Sequence, residues 1–183
     1  MKILAKYNDI QLMEYDTYYD ERGYFKESYN MHTMLGVGIN NDFVQDNISY
    51  SKQYVFRGLH YQAHPQSKLL SVIYGHIIDI LLDIRINEPS FGDTYAIDLT
   101  VGQCLYIPKG YAHGFLALDP ENIVSYKVDE YRDPEGEGCI TYKEALLRND
   151  TFFKYVQNIG EEKLILSERD QQGILLDTYI HNK

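Results

Sequence analysis

The sequence predicts an all-β fold, a sandwich or barrel with a few short helices, and three observations carry that reading. Short runs of β-branched and aromatic residues recur about every ten residues. Gly, Pro, Asn and Asp separate them, as residues suited to turns should. Helical periodicity is scarce. With 183 residues, 44% of them hydrophobic, the chain can bury one real core but not comfortably two, so residues 1–183 are expected to form a single domain.

Strands are expected near residues 10–15, 23–29, 43–50, 55–62, 68–74, 76–84, 94–99, 103–107, 112–118 and 122–128. Gly75 stands between the fifth and sixth and predicts a tight hairpin turn. Helix is expected only over Met31 to Leu35 and over Lys143 to Val156, the second interrupted at Asn149-Asp150. The segment His76 to Arg85 indicates the kind of sheet. Alternation puts Ile78, Ile80, Leu82 and Ile84 on one face and Ile77, Asp79, Leu81, Asp83 and Arg85 on the other. A flat solvated sheet would simply expose the aspartates, but they share their face with Ile77 and Leu81, which favours a curled sheet with a ligand-holding interior.

Composition narrows the function. A net charge of −10 disfavours binding to nucleic acid, which depends on a basic face that releases counterions. A few arginines facing a cleft can still make it locally positive for a small phosphorylated ligand. In Met1-Lys2-Ile3-Leu4-Ala5-Lys6 the second lysine interrupts the apolar run too early for a signal-peptide core. The apolar run Ile77 to Ile84 contains two aspartates and is too short to span a bilayer. Cys104 and Cys139 show no CxxC pattern, so neither a zinc site nor a disulfide framework is indicated. The expectation is a cytoplasmic protein with no nucleic-acid or membrane partner.

Arg57-Gly58-Leu59-His60-Tyr61-Gln62 places a cation, a base and an amide on one short segment. Regular alternation would put Arg57 with Leu59 and Tyr61, opposite His60 and Gln62. Gly58 offers a remedy, because glycine in a strand often marks a bulge that re-aims its neighbours. A bulge or sharp twist is therefore expected at 57–59.

Several further segments fall into order around this one. They are Asp20-Glu21-Arg22-Gly23-Tyr24-Phe25-Lys26-Glu27-Ser28, Gln45-Asp46-Asn47, Gln66-Ser67-Lys68-Leu69 and Asp83-Ile84-Arg85, then Pro108 to Phe115, Tyr126-Lys127 and Leu166-Ser167-Glu168-Arg169-Asp170. Over about residues 10 to 177 this order resembles the dTDP-4-dehydrorhamnose 3,5-epimerase family. The resemblance implies a cupin or jelly-roll β-barrel, a homodimer, and epimerisation of a nucleotide-diphosphate sugar without metal or organic cofactor. The substrate implied is a 4-keto-6-deoxyhexose of the dTDP-4-dehydro-6-deoxyglucose type.

A ketone at sugar carbon 4 acidifies the hydrogens on carbons 3 and 5, and inversion needs a base on one face and an acid on the other. By resemblance His60 is the base, Tyr126 the acid and Asp170 the carboxylate that holds the imidazole. Lys68 and His113 match the donors to an enolate oxygen. Arg22, Phe25 and Glu27 match positions that hold the nucleotide, partly across the dimer, and Arg22 and Arg57 can pair with phosphate. Gln45 and Asn47 share a strand face and could bond sugar hydroxyls. Without the resemblance, plainer readings stand: a core histidine, one of many strand tyrosines, a solvated lysine at a strand edge and a solvated C-terminal tail.

One departure bears on the reaction. The family often carries a second tyrosine six residues after the first, where this chain has Arg132 beside Tyr131. An enzyme acting at only one of the two carbons is therefore an alternative. So is a metal-dependent cupin, although Gln62 occupies its second histidine position, His64 lies two residues further on, and no glutamate follows at the usual spacing. A third alternative is a binding module that has lost its chemistry, against which stand His60, Tyr126 and Asp170, all present.

Overall fold

The computed structural model describes residues 1–182. In chain order the strands are β1 (Lys2–Tyr7), β2 (Ile10–Glu14), β3 (Thr17–Asp20), β4 (Gly23–Lys26), β5 (Gln45–Lys52), β6 (Phe56–Gln62) and β7 (Lys68–Tyr74). They continue as β8 (His76–Asp83), β9 (Thr94–Thr100), β10 (Gln103–Ile107), β11 (Tyr111–Ala117), β12 (Glu121–Val128) and β13 (Glu137–Cys139). The helices are α1 (Met31–Gly36), α2 (Tyr142–Arg148), α3 (Asp150–Ile159), α4 (Glu168–Gln171) and α5 (Leu176–His181).

Two antiparallel sheets form the body. One runs β1-β2-β10-β7-β12-β5, the other β13-β6-β11-β8-β9, and β3-β4 stand apart as a hairpin. From β5 onward nearly every connection crosses from one sheet to the other, the exception being the β8-β9 pair. This is the double-sheet jelly-roll solution, in which inner faces interdigitate and the chain segments flanking a site come from distant parts of the sequence.

The crossing explains the two faces of β8. Ile77 and Leu81 pack between the sheets against Leu70, Val72, Leu105 and Val124. Ile78, Ile80 and Leu82 pack outward against Ala145, Phe152, Val156 and Leu176, so a second core lies beneath the helices. Asp79 and Asp83 are fully buried. Asp83 is neutralised by Arg85, whose guanidinium also reaches Asp9. The expected interior face is therefore present, and its carboxylates have partners.

All ten expected strands exist, with ends displaced by a few residues. Gly75 turns between β7 and β8 at φ 88°, and a side chain there would strike the Glu121 carbonyl. The expected hairpin does not form: β7 pairs with β10 and β12 and β8 with β11 and β9, so this turn carries the chain from one sheet to the other. Asn149 interrupts the second helical segment by capping α3, its Oδ1 accepting from Phe152 N at 3.0 Å. The strands β1, β3 and β13 were not foreseen, nor were α4 and α5. β13 has three residues, too few to show a period.

The bulge is where Gly58 placed it. His60 pairs with His113 and Arg57 with Phe115, so three steps along β6 oppose two along β11. Gly58 has φ 133°, and a Cβ there would lie 2.5 Å from Gly114 Cα. A Cβ on Gly114 would lie 2.5 Å from the Arg57 carbonyl oxygen. Two glycines thus let β6 and β11 approach closely enough for Arg57 and His60 to serve one cleft. Gly114→Ala is expected to lower the Tm by roughly 3–10 °C, since overpacking costs about 1–3 kcal/mol. Thermal denaturation followed by circular dichroism checks this, and an unchanged Tm would contradict the close approach.

Candidate active site

Between the sheets opens a cleft of about 610 Å³, within the usual range for small-ligand sites. Arg57, Lys68, Arg132 and Arg169 line it against Asp46, Glu137 and Asp170. Four fixed cations facing three carboxylates make the cleft locally positive in a chain whose net charge is −10. An anionic ligand is favoured here although the surface as a whole repels anions.

His60 rises into this cleft from β6. Its Nε2 lies 2.6 Å from Asp170 Oδ1, across 110 residues of chain. Asp170 sits in the single turn of α4, which Ser167 caps. The Ser167 hydroxyl accepts from Asp170 N at 3.2 Å and donates to Oδ2 at 2.7 Å. Gly58 N donates to Oδ1 at 3.4 Å, which ties the carboxylate to the bulge. Asp170 is only 3% exposed. Burial by itself would raise its pKa, but the bonds from His60, Ser167 and Gly58 outweigh it and hold the carboxyl below its usual range. An ionised acceptor at Nε2 puts the imidazole proton there, and Nδ1, which has no hydrogen-bond partner among the described residues, keeps a lone pair.

A second histidine lies beside the first. Lys68 Nζ is 3.4 Å from His113 Nδ1, and His113 Nε2 is 2.9 Å from Asp79 Oδ2. Burial pushes Lys68 down to about 8, with Asp79 and Glu137 opposing. Burial also lowers His113 and raises Asp79.

Tyr126 comes from β12, in the other sheet, between Leu70 of β7 and Asn47 of β5. Burial raises its phenol; Arg57 and Arg132 oppose that and Glu137 adds to it. His60 and Tyr126 therefore project into one compartment from facing sheets, whose backbones are typically ~10 Å apart.

The remaining candidates divide. Arg57 lines the cleft, its guanidinium held by Ser51 Oγ and the Tyr50 carbonyl, both at 2.9 Å. Asn47 lines it too. Gln45 stands behind Asn47, donating to its Oδ1 at 2.8 Å and accepting from Arg132 N at 3.1 Å. Arg22, Phe25 and Glu27 do not reach this cleft. Arg22 is paired with Asp20 in solvent, and Phe25 is 66% exposed. Phe25 and Glu27 border a separate hollow of about 300 Å³ near Tyr15.

Sequence reasoning missed Glu137, Arg169 and the use of Asp79. Glu137 Oε2 accepts from Arg132 Nη2 at 2.7 Å and from Arg169 Nη1 at 2.8 Å, so one carboxylate gathers two arginines on the cleft wall. The two guanidiniums override burial and hold Glu137 below its usual range. Arg169 was visible within the last motif. Glu137 gave no signal, because only the pairing of β13 with β6 brings it to the cleft.

For a metal, His60, Cys139 and Asp170 are the donors among the described residues that lie within reach of one another, inside 4.8 Å. They make a poor set. Burial pushes the Cys139 thiol up to about 12, and Asp170 Oδ1 is already committed to His60.

Comparison with known proteins identifies the family. The sequence profile of the dTDP-4-dehydrorhamnose 3,5-epimerases matches residues 5–178. The chain belongs to the dTDP-4-dehydrorhamnose 3,5-epimerase family. It is 39% identical to the dTDP-4-dehydrorhamnose 3,5-epimerase of Methanothermobacter thermautotrophicus, over 87% of this chain and 85% of that one. It is 36% identical to the enzyme of the same name from Escherichia coli, over 99% and 97%. Among solved structures, the dTDP-6-deoxy-D-glucose-3,5-epimerase of Legionella pneumophila, in complex with dTDP-4-keto-L-rhamnose, superposes with a TM-score of 0.86. That match has 37% identity and covers 96% of this chain and 92% of the other. The jelly roll is thus the epimerase family's cupin-like barrel, as the motif order implied.

The state of Lys68 gives a measurable consequence. Between pH 8 and its ordinary 10.5 the unfolded chain holds a proton that the folded chain has released, so this residue makes stability rise with pH across that window. Lys68→Met is therefore expected to be more stable than the parent below pH 8, by about 1–3 kcal/mol, with the gap closing toward pH 10.5. Urea unfolding of both proteins across this range measures it, and a gap independent of pH would contradict a depressed lysine.

Proposed function

We propose that this chain is an epimerase that inverts carbon 3, carbon 5 or both in a dTDP-linked 4-keto-6-deoxyhexose. The observation that carries the reading is the placement of the His60–Asp170 pair and Tyr126 on facing walls of one cleft. The sugar complex of the Legionella relative supports the substrate class. Residues 1–183 are read as one catalytic domain.

His60 Nδ1 takes a hydrogen from the carbon beside the ketone, and Asp170 stabilises the imidazolium that results. The electron pair moves onto the ketone oxygen as an enolate. Lys68, with His113 beside it, donates to that oxygen, which lowers the barrier because the donor is already in place. Tyr126 returns a proton to the carbon from the other face as the ketone re-forms, after which its phenolate is reprotonated from solvent and the His60 imidazolium releases its proton to solvent. Arg57 pairs with the diphosphate, while Asn47, backed by Gln45, holds ring hydroxyls. No step calls for a metal or an organic cofactor. Arg132, tied to Glu137, stands where relatives often carry a second tyrosine, which keeps a single-centre reaction open. A cytoplasmic setting accords with two free, buried cysteines.

The hairpin β3-β4 supports a homodimer. It exposes Tyr18, Tyr19, Tyr24 and Phe25 and holds Arg22 and Phe25 away from its own cleft. In the proposed assembly it supplies those two residues and Glu27 to the nucleotide in a partner's cleft.

Two experiments test these readings. In deuterated water with dTDP-4-dehydro-6-deoxyglucose, the parent protein is expected to place label at carbon 3, carbon 5 or both, as read by NMR. His60→Ala is expected to lose exchange by about 10²–10⁴-fold, whereas Tyr126→Phe retains abstraction and loses inversion. Absence of label from the parent protein would overturn the proposal. For the dimer, His60→Ala protomers are mixed with protomers carrying Arg22→Ala and Phe25→Ala. Mixed dimers should regain one working site, formed by the intact dyad of one protomer and the intact hairpin of the other. Two sites assembled in cis would both stay dead.

A further inference from the structure

Asp79 is a fully buried carboxylate to which the proposed chemistry assigns no task. It faces the interior from β8, its Oδ2 2.9 Å from His113 Nε2, while its Oδ1 has no hydrogen-bond partner among the described residues. An ionisable group held in an apolar interior with half its acceptor capacity unused is unfavourable for folding, and such groups cluster where function requires them.

From this geometry we propose that Asp79 is a positioning residue which, by fixing the tautomer of His113, aims the Lys68 ammonium at the enolate oxygen. The argument follows the direction of the hydrogen bonds. An ionised Asp79 can only accept, so the imidazole proton lies on Nε2 and Nδ1 presents a lone pair. That lone pair accepts from Lys68 Nζ at 3.4 Å, which engages one ammonium hydrogen and leaves two for the cleft. Were Asp79 protonated, or replaced by a donor, the imidazole would present Nδ1–H to the lysine. Two donors would then face each other and the ammonium could not stay charged where it is.

Charge acts in the same sense as geometry. Asp79 raises the lysine's affinity for its proton against the effect of burial, as does Glu137 of β13. The other charged or titratable groups lining this cleft with Lys68 are Asp46 of β5, Arg57, His60 and Tyr61 of β6, Tyr126 of β12, Arg132 of the following loop, and Arg169 and Asp170 of α4, and an adjoining hollow adds Arg85, Tyr111 and Tyr179. None of those lining the cleft bonds His113, whose ring nitrogens are held among the described residues by Asp79 at Nε2 and by Lys68 at Nδ1.

The inference rests on Lys68 serving the enolate, and the experiment separates the two claims. Asp79→Asn is expected to keep KM within about twofold, to reduce kcat by about tenfold or more, and to move the basic limb of the kcat profile to lower pH by about one unit. The same displacement is expected in the NMR titration of the labelled Lys68 side chain, and Asp79→Glu should restore part of it. A folded Asp79→Asn protein whose Lys68 midpoint and basic limb coincide with the parent's would overturn the inference. In the parent protein, 15N NMR should find the His113 proton on Nε2, and finding it on Nδ1 would overturn the inference without any variant. If Lys68→Met retains full activity, the role of Lys68 itself fails. If Lys68→Met is inactive while Asp79→Asn behaves as the parent, only the role of Asp79 fails.

Discussion

One hydrogen bond, from His60 Nε2 to Asp170 Oδ1, connects the two ends of this chain's chemistry, and much of the structure serves to make it possible. The imidazole comes from a central strand and the carboxylate from a single helical turn 110 residues later. A four-residue helix has too little internal bonding to persist alone. It is held by Ser167 at its start and by the Gly58 amide at the β6 bulge. The same glycine that re-aims Arg57 and His60 therefore also anchors the residue that orients His60. Removing the bulge would disturb base, anion site and dyad together.

Polar groups inside the barrel are kept by pairing. Asp79 meets His113 and Asp83 meets Arg85, both carboxylates fully buried where an isolated charge would be strongly disfavoured, and the largely buried Glu137 meets the more exposed Arg132 and Arg169. Around these pairs the two hydrophobic layers on either side of β8 supply the stability. The outer layer under α2 and α3 is largely apolar, and its buried carboxylate Glu144 is satisfied by Leu176 N at 3.1 Å and by Arg148.

Much of the fold was legible because its signals are local. The alternation in β8, the turn at Gly75, the Asn149 break and the bulge at Gly58 each depend on a few neighbouring residues and on steric rules that hold in any context. Of the strands that escaped notice, β3 and β13 are short and owe their conformation to the strand they pair with. The site divides the same way. His60, Lys68, His113, Tyr126 and Asp170 stand out through an ordered set of motifs shared with a family, whereas Glu137 belongs to no motif.

By itself the sequence determined that the chain is mostly β, that one face of β8 had to be both apolar and acidic, and that a bulge would fall beside His60. Those properties follow from side-chain alternation and from the conformational freedom of glycine. Only the tertiary structure decided that Glu137 gathers two arginines at the cleft, that Asp79 lies behind His113 and Lys68, and that Arg22 and Phe25 point away from the cleft of their own chain. These depend on which strands cross between the sheets and on their register, and contacts between segments far apart in the chain leave no periodic trace in either segment.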